Sequence, residues 1–293
     1  MIQMAIVNLT PDSFYEPSRV WSDTADAAMA RIRQFLSDGA DIVDLGAVST
    51  RPGAPDVPVE EEWRRLEPVL TALAALPESE RPKAALSSVT RPEDEEGGGF
   101  STRYCMPGDA LSREEFGKSA YWISIDTTSA EIVRRAHAVV GNFIVNDISA
   151  GNDDPEMLPT VAELGLNYVA MHKRGNPRTM DNLTEYTDGI MGELMEYFCA
   201  FASRADELGI RDWILDPGLG FAKTDEQNWE ILENLEALKV FGRPILIGAA
   251  EKRFTHGDTD KAHELAIAHG ADILRVHELI KVEKPRFRTS GIR

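Results

Sequence analysis

The sequence predicts an α/β protein, a (β/α)8 TIM barrel with a long insert before the third strand and a shortened C-terminal helix. Three observations predict it. Eight short apolar runs alternate with longer amphipathic segments, the pattern of repeated βα units. Polar or charged residues gather where those runs end. The G-x-G-x-x-G turn of a doubly wound dinucleotide sheet is absent, which favours the closed barrel over the open sheet.

The runs predicted as strands are residues 4–8, 41–45, 122–126, 143–147, 167–172, 213–216, 244–247 and 273–276. The amphipathic stretches 23–37, 60–76, 129–140, 155–164, 188–208, 226–238 and 260–269 are predicted as helices. Ser129 and Asp154 stand where N-caps belong, because a short side-chain oxygen can accept from the first unpaired N–H groups of a helix. Gly165, Gly209 and Gly270 stand where helices stop, since glycine enters the left-handed conformation without a Cβ penalty.

Two segments interrupt the alternation. Residues 78–121 carry Glu93, Asp94, Glu95 and Glu96 and then Gly97, Gly98 and Gly99, a composition that predicts a solvated irregular insert. After the eighth run, Pro285, Thr289, Ser290 and Gly291 argue against a full closing helix. The 293 residues are 43% hydrophobic, enough to bury one large core, and residues 1–293 are predicted as a single domain.

A formal charge of -18 excludes bulk attraction to nucleic acid or an anionic membrane, both of which need a positive field. An anionic substrate must then be held by a local cluster of cations. No run of 18 apolar residues and no basic leader precede the first strand, so a cytoplasmic protein is expected. Cys105 and Cys199 fall in no metal-binding or redox spacing and are read as reduced thiols.

In a barrel of this kind the chemistry sits at the carboxyl ends of the strands. Those ends carry Asn8, Thr50 with Arg51, Asp126, Asn146 with Asp147, Met171 with His172, Asp216, Lys252, and Arg275 with His277. Charged groups at the ends of apolar strands are costly to bury unless they are paired or bind something. Asp126, Asn146 and Asp216 suit the hydrogen-bonding edge of a planar amino-pyrimidinone, whereas Arg51, Lys252, Arg275 and His277 suit phosphate oxygens.

Particular segments go further. Asn8-Leu-Thr-Pro-Asp-Ser-Phe14, Gly39-Ala-Asp-Ile-Val-Asp-Leu-Gly46 with Ser49-Thr-Arg-Pro-Gly53, and Asp216-Pro-Gly-Leu-Gly-Phe221 with Lys223 resemble dihydropteroate synthase signatures. Ile125-Asp-Thr127, Asn146-Asp-Ile-Ser149, Met171-His172 and Arg275-Val-His277 match in the same order. The resemblance implies a transferase of folate biosynthesis. Such an enzyme joins 6-hydroxymethyl-7,8-dihydropterin diphosphate to p-aminobenzoate, giving 7,8-dihydropteroate and diphosphate.

It also implies roles. Asp126, Asn146, Asp216 and Lys252 would bind the pterin edge, with Met171 beside it and Arg275 against the ring. Asn8 would help to hold Mg²⁺, and Arg275 with His277 the diphosphate. Thr50, Arg51, Pro52, Gly220 and Phe221 would shape the p-aminobenzoate pocket. Loops 10–21 and 48–57 would close over both substrates, and the final helices would form a homodimer.

The chain departs from the family pattern at identifiable places. Gly248-Ala-Ala-Glu-Lys252 stands where Gly-x-Ser-Arg-Lys is usual, Ala47-Val48 replaces Gly-Glu, and Ala222 replaces a glycine. A glutamate at 251 would repel the p-aminobenzoate carboxylate if it faced the pocket. The competing reading is therefore a pterin-binding paralogue that lacks p-aminobenzoate chemistry.

Overall fold

The structure is a computed structural model and describes residues 1–10, 25–48, 56–82, 121–175 and 179–280. Its strands are β1 (Ile2–Asn8), β2 (Ile42–Gly46), β3 (Trp122–Asp126), β4 (Ile144–Asp147), β5 (Asn167–Met171), β6 (Trp213–Asp216), β7 (Leu246–Ile247) and β8 (Ile273–Val276). Between them run α1 (Asp26–Asp38), α2 (Val59–Ala74), α3 (Ala130–Val140), α4 (Met157–Leu164), α5 (Gly189–Leu208), α6 (Asp225–Glu233) and α7 (Thr259–Ala268). All pairings are parallel, in the order β6-β5-β4-β3-β2-β1-β8-β7. A Leu215–Ile245 bridge joins the two ends of that order, so the predicted (β/α)8 barrel forms.

Side chains alternate across each strand, and here the alternation positions the site. Val43, Leu45, Ile123, Ile125, Val145, Tyr168, Trp213 and Leu215 pack outward against the helices in the main core. Ile2, Met4, Ile42, Ile144, Val169, Ile214, Leu246 and Ile273 form a separate apolar plug inside the barrel. Two residues further along each strand, at the same parity, stand Asp44, Asn146, Met171, Asp216, Gly248 and Arg275. Strand pairing sets Asp126 beside Asn146 and Gly46, so it joins this upper layer. The apolar plug is the floor on which a polar layer rests at the carboxyl face.

The structure departs from the sequence expectation in local ways with physical causes. Strand β7 is shorter than predicted because Pro244 has no N–H to give; its carbonyl accepts from Leu215 at 2.9 Å and only one bridge links β6 to Ile245. The sixth predicted helix divides at Asn234 into α6 and a 3-10 segment, Leu235–Phe241. Leu235 and Leu238, both fully buried, fall on one face at three residues per turn. Ser129 caps α3 as predicted. Asp154 instead ties two elements together, accepting from Ala130 N of α3 at 2.8 Å and from Glu156 N at 2.9 Å. Gly165 and Gly209 close their helices at φ 63° and 75°.

Within the predicted 78–121 insert, the described residues include a 3-10 turn, Glu78–Glu80, and a buried Tyr121. Residues 83–120 and the tail from 281, with the predicted shortened final helix, lie outside the described residues. Cys199 is an exposed free thiol, and Cys105 lies outside the described residues. Among the described residues no helix is long and apolar enough to cross a membrane.

Candidate active site

The polar layer forms a recess open to solvent and lined by Asp126, Asn146, Met171, Asp216, Lys252 and Arg275 together with Ile148, Gly218, Leu219, Phe221 and Gly248. Arg275, from β8, spans the recess: its Nε donates to Asp44 Oδ2 and its Nη2 to Asp126 Oδ2, each at 2.7 Å. Asn146 Nδ2 stands 3.3 Å from the same Asp44 oxygen. Asp216 Oδ1 accepts from Gly218 N at 2.7 Å, which holds the carboxylate at the start of the following turn.

Opposite, the Lys252 ammonium lies 4.4 Å over the Phe221 ring. Behind Phe221, the Lys223 ammonium contacts His172 Nδ1 at 2.9 Å and the carbonyls of Gly218 and Phe221 at 3.0 Å. Charges balance locally. Asp44, Asp126 and Asp216 stand among Arg275, Lys252 and Lys223, so the excess acidic charge of the chain is carried elsewhere.

Burial in a low-dielectric setting disfavours whichever form of a group is charged. Asp126 and Asp216 are both pushed up by burial, opposed at Asp126 by Arg275 and at Asp216 by the Gly218 N–H. Burial pulls Lys252 down to about 8, helped by Arg275, and Lys223 down to about 7. Asp126, Asp216 and Lys252 hold their charge less firmly than exposed counterparts, as expected of a recess built to exchange water for a ligand, and Lys223 behind it does likewise.

His172 is held at about 2 by burial and by the neighbouring Lys223 and Arg174, so it is neutral at physiological pH. Below about 6.5 the unfolded imidazole takes up a proton that the folded one refuses, so the protein loses up to about 1.4 kcal/mol of stability per pH unit as pH falls. Urea unfolding at pH 6.5 and 5.0 should show a larger loss in the wild type than in His172→Asn, where His263, also lowered by burial, still contributes. Equal pH dependence in the two would contradict it.

Glycine freedom is required at Gly218, where φ is +69° and a Cβ would lie 2.0 Å from His172 O. The departure at Ala222 is real strain: it adopts φ 51°, a left-handed conformation that costs an L-residue about 1 kcal/mol. Its carbonyl accepts from Tyr186 OH at 2.7 Å, one of the contacts that hold it there.

The structure thus brings together Asp126, Asn146, Met171, Asp216, Phe221, Lys252 and Arg275 in one recess. Gly220 backs it, with its Cα side against the Lys252 stem. Asn8 ends β1 at the rim, where the missing side chain of Gly46 leaves room beside Asn8 Oδ1 and Asp126. His277 follows β8 and is not among the residues lining the recess. Thr50, Arg51 and Pro52, and most of loops 10–21 and 48–57, lie outside the described residues. Glu251 is exposed at φ 56°, and neither it nor Ala250 is among the residues lining the recess.

Asp44 is a site residue that the sequence reading does not single out, although its signal is legible: it lies inside the Gly39–Gly46 motif, two residues before Gly46 and at the parity of the inner layer. The loop residues Ile148, Gly218, Leu219 and Gly248 follow from geometry that no periodicity shows.

A family model described as pterin binding enzyme matches residues 4–81 and 110–277. Fold and recess together define a barrel enzyme of the pterin-binding class. The dihydropteroate synthase of Synechocystis sp. is 35% identical over 290 residues, covering 94% of this chain and 84% of that protein. The folic acid synthesis protein of Pneumocystis carinii is 36% identical over 299 residues, covering 96% of this chain but only 34% of that longer protein. The structure of Xanthomonas albilineans dihydropteroate synthase with 4-aminobenzoic acid matches with a TM-score of 0.70 at 30% identity, over 94% of this chain and 87% of that one. The chain belongs to the dihydropteroate synthase family and is a transferase.

Proposed function

We propose that the chain joins 6-hydroxymethyl-7,8-dihydropterin diphosphate to p-aminobenzoate, forming 7,8-dihydropteroate and releasing diphosphate. The observation that carries this reading is the inner layer itself, in which the carboxylates Asp126 and Asp216, the Asn146 amide and the cations Lys252 and Arg275 line a single recess. Asp216, with one oxygen fixed by Gly218 N, offers its other oxygen to the N–H groups of the pterin pyrimidine. Asn146 supplies an amide beside it, and Met171 and Ile148 supply flat apolar contact.

The methylene C–O bond breaks and its electron pair leaves with diphosphate. Positive charge then spreads into the pterin, facing Asp126 and Asp216, whose fixed positions need no reorganisation as the charge develops. The aniline nitrogen of p-aminobenzoate attacks the methylene carbon and afterwards releases its proton. Phe221 and Gly220 form a wall for that ring, with Thr50, Arg51 and Pro52 assigned to the same pocket by sequence. Arg275 and His277 are assigned to the departing diphosphate, for which charge-assisted hydrogen bonds are the strong contact.

Among the described residues no three His, Cys, Asp or Glu side chains gather as a metal cage. The Asn8 amide oxygen at the rim fits the other arrangement, in which Mg²⁺ takes few protein oxygens and completes its shell with phosphate and water. Bound there, the ion would neutralise the leaving diphosphate. Chelation should abolish turnover and added Mg²⁺ restore it; full activity in excess chelator would remove the metal from the reaction. A cytoplasmic setting and a homodimer belong to the same reading.

Lys252→Ala tests the residue assignment. It removes the cation between Asp216 and the Phe221 wall, and turnover should fall at least about a hundredfold, the scale of losing one transition-state partner. Near-normal turnover would sink the role given to Lys252.

A further inference from the structure

Lys223 and His172 take no part in the chemistry described above, and neither lines the recess. Yet both are buried, and each is joined to the other across 51 positions of sequence. An ammonium has three N–H donors and no acceptor. Lys223 spends all three, on His172 Nδ1, Gly218 O and Phe221 O. Because Nδ1 accepts, the neutral ring carries its proton on Nε2, which lies 3.4 Å from Glu193 Oε1. Tyr197 meets the imidazole edge-on at 4.8 Å between centroids, and its hydroxyl donates to Met171 O at 3.1 Å.

The turn that this pair grips has one backbone hydrogen bond of its own, from Phe221 N to Gly218 O at 3.1 Å, and draws its other anchors from side chains around it. Gly218, Gly220 and Ala222 are all left-handed, at φ 69°, 78° and 51°. The two glycines adopt this conformation at little cost, whereas Ala222 keeps it only because its surroundings hold it there. One further anchor is Asn228, of α6, whose Oδ1 accepts from Gly220 N at 2.7 Å. The same turn carries Gly218, Leu219 and Phe221 into the recess and sets the Phe221 ring under Lys252.

We propose that Lys223 and His172 form a latch, in which the ammonium-to-imidazole hydrogen bond holds the 218–221 turn in the shape that receives the arylamine. Both are positioning residues. The arylamine half of this statement rests on the reading of Phe221 as the p-aminobenzoate wall.

Amide substitutions separate the two imidazole nitrogens. His172→Asn keeps an acceptor near the Nδ1 position, whereas His172→Gln places its amide near Nε2 and leaves Lys223 without its partner. Lys223→Met removes the donors while keeping the apolar stem. Each variant is compared with wild type in KM for p-aminobenzoate, in kcat, and in amide hydrogen exchange of residues 218–221.

Lys223→Met and His172→Gln should both accelerate exchange in the turn and raise that KM at least about tenfold, with a smaller change in kcat. His172→Asn should stay within about twofold of wild type in all three readouts, the behaviour of a residue needed only as an Nδ1 acceptor. The reverse ranking, with Gln tolerated and Asn impaired, would overturn the latch in favour of the Nε2 contact to Glu193. Unchanged exchange and KM in Lys223→Met would overturn it as well. If Lys223→Met does not fold, the Asn and Gln pair still decides. A wild type without synthase turnover would refute the proposed reaction, and the exchange contrast would then decide the latch alone.

Discussion

Arg275→Met is expected to lower unfolding stability by at least about 3 kcal/mol, the range for removing one partner from a buried ion pair, and to abolish dihydropteroate formation. The size follows from what the guanidinium holds. Asp44 is fully buried and Asp126 nearly so, and Arg275 donates to both at 2.7 Å. Without it, two carboxylates would face each other across the inner layer with Asn146 as the remaining polar neighbour of Asp44. One of them would have to take up a proton, and that proton would neutralise charge intended for the pterin cation. Adding Asp44→Asn to Arg275→Met should recover part of the stability and none of the activity. A loss under about 1 kcal/mol in urea titrations would mean that the pair is solvated and contributes as a surface bridge does.

Asp216→Asn carries the second large effect, and it falls on turnover alone. An asparagine oxygen can still accept from Gly218 N, so the turn keeps its first anchor and the fold should be preserved. What disappears is the negative charge facing the ring as diphosphate departs. Turnover should fall at least about a hundredfold, with unfolding stability equal to or above that of wild type. The direction in stability follows from the raised carboxyl of Asp216, which is disfavoured as an anion in the folded state. Turnover within about tenfold of wild type would move the charge-stabilising role to Asp126.

Much of the barrel is legible in the sequence because its period is simple. Apolar runs that end in Asp126, Asn146 and Asp216 place those groups at one face once the barrel is inferred, and strand register aligns Asp126 with Asn146 and Met171 with Asp216. What the sequence hides has physical causes of its own. Asp44 resembles a core residue by position, since it sits in a strand buried along its whole length; its role is visible only once Arg275, 231 positions away, reaches it. Pro244 shortens β7 through a missing donor, an effect that a hydrophobic run conceals. Lys223 stands two residues beyond the Asp216–Phe221 motif, but its meaning depends on His172 and on carbonyls of a turn whose backbone no pattern specifies. At Arg275 and His277 the same strand parity leads to opposite outcomes, one lining the recess and the other not.

The most direct measurement is product formation by the purified chain supplied with Mg²⁺ and 6-hydroxymethyl-7,8-dihydropterin diphosphate, with and without p-aminobenzoate, following diphosphate and dihydropteroate together. Diphosphate released one-for-one with dihydropteroate, and only when p-aminobenzoate is present, is the expected result. Tight binding of the pterin substrate with no dihydropteroate formed would contradict it and mark a protein that uses only the pterin half of the recess.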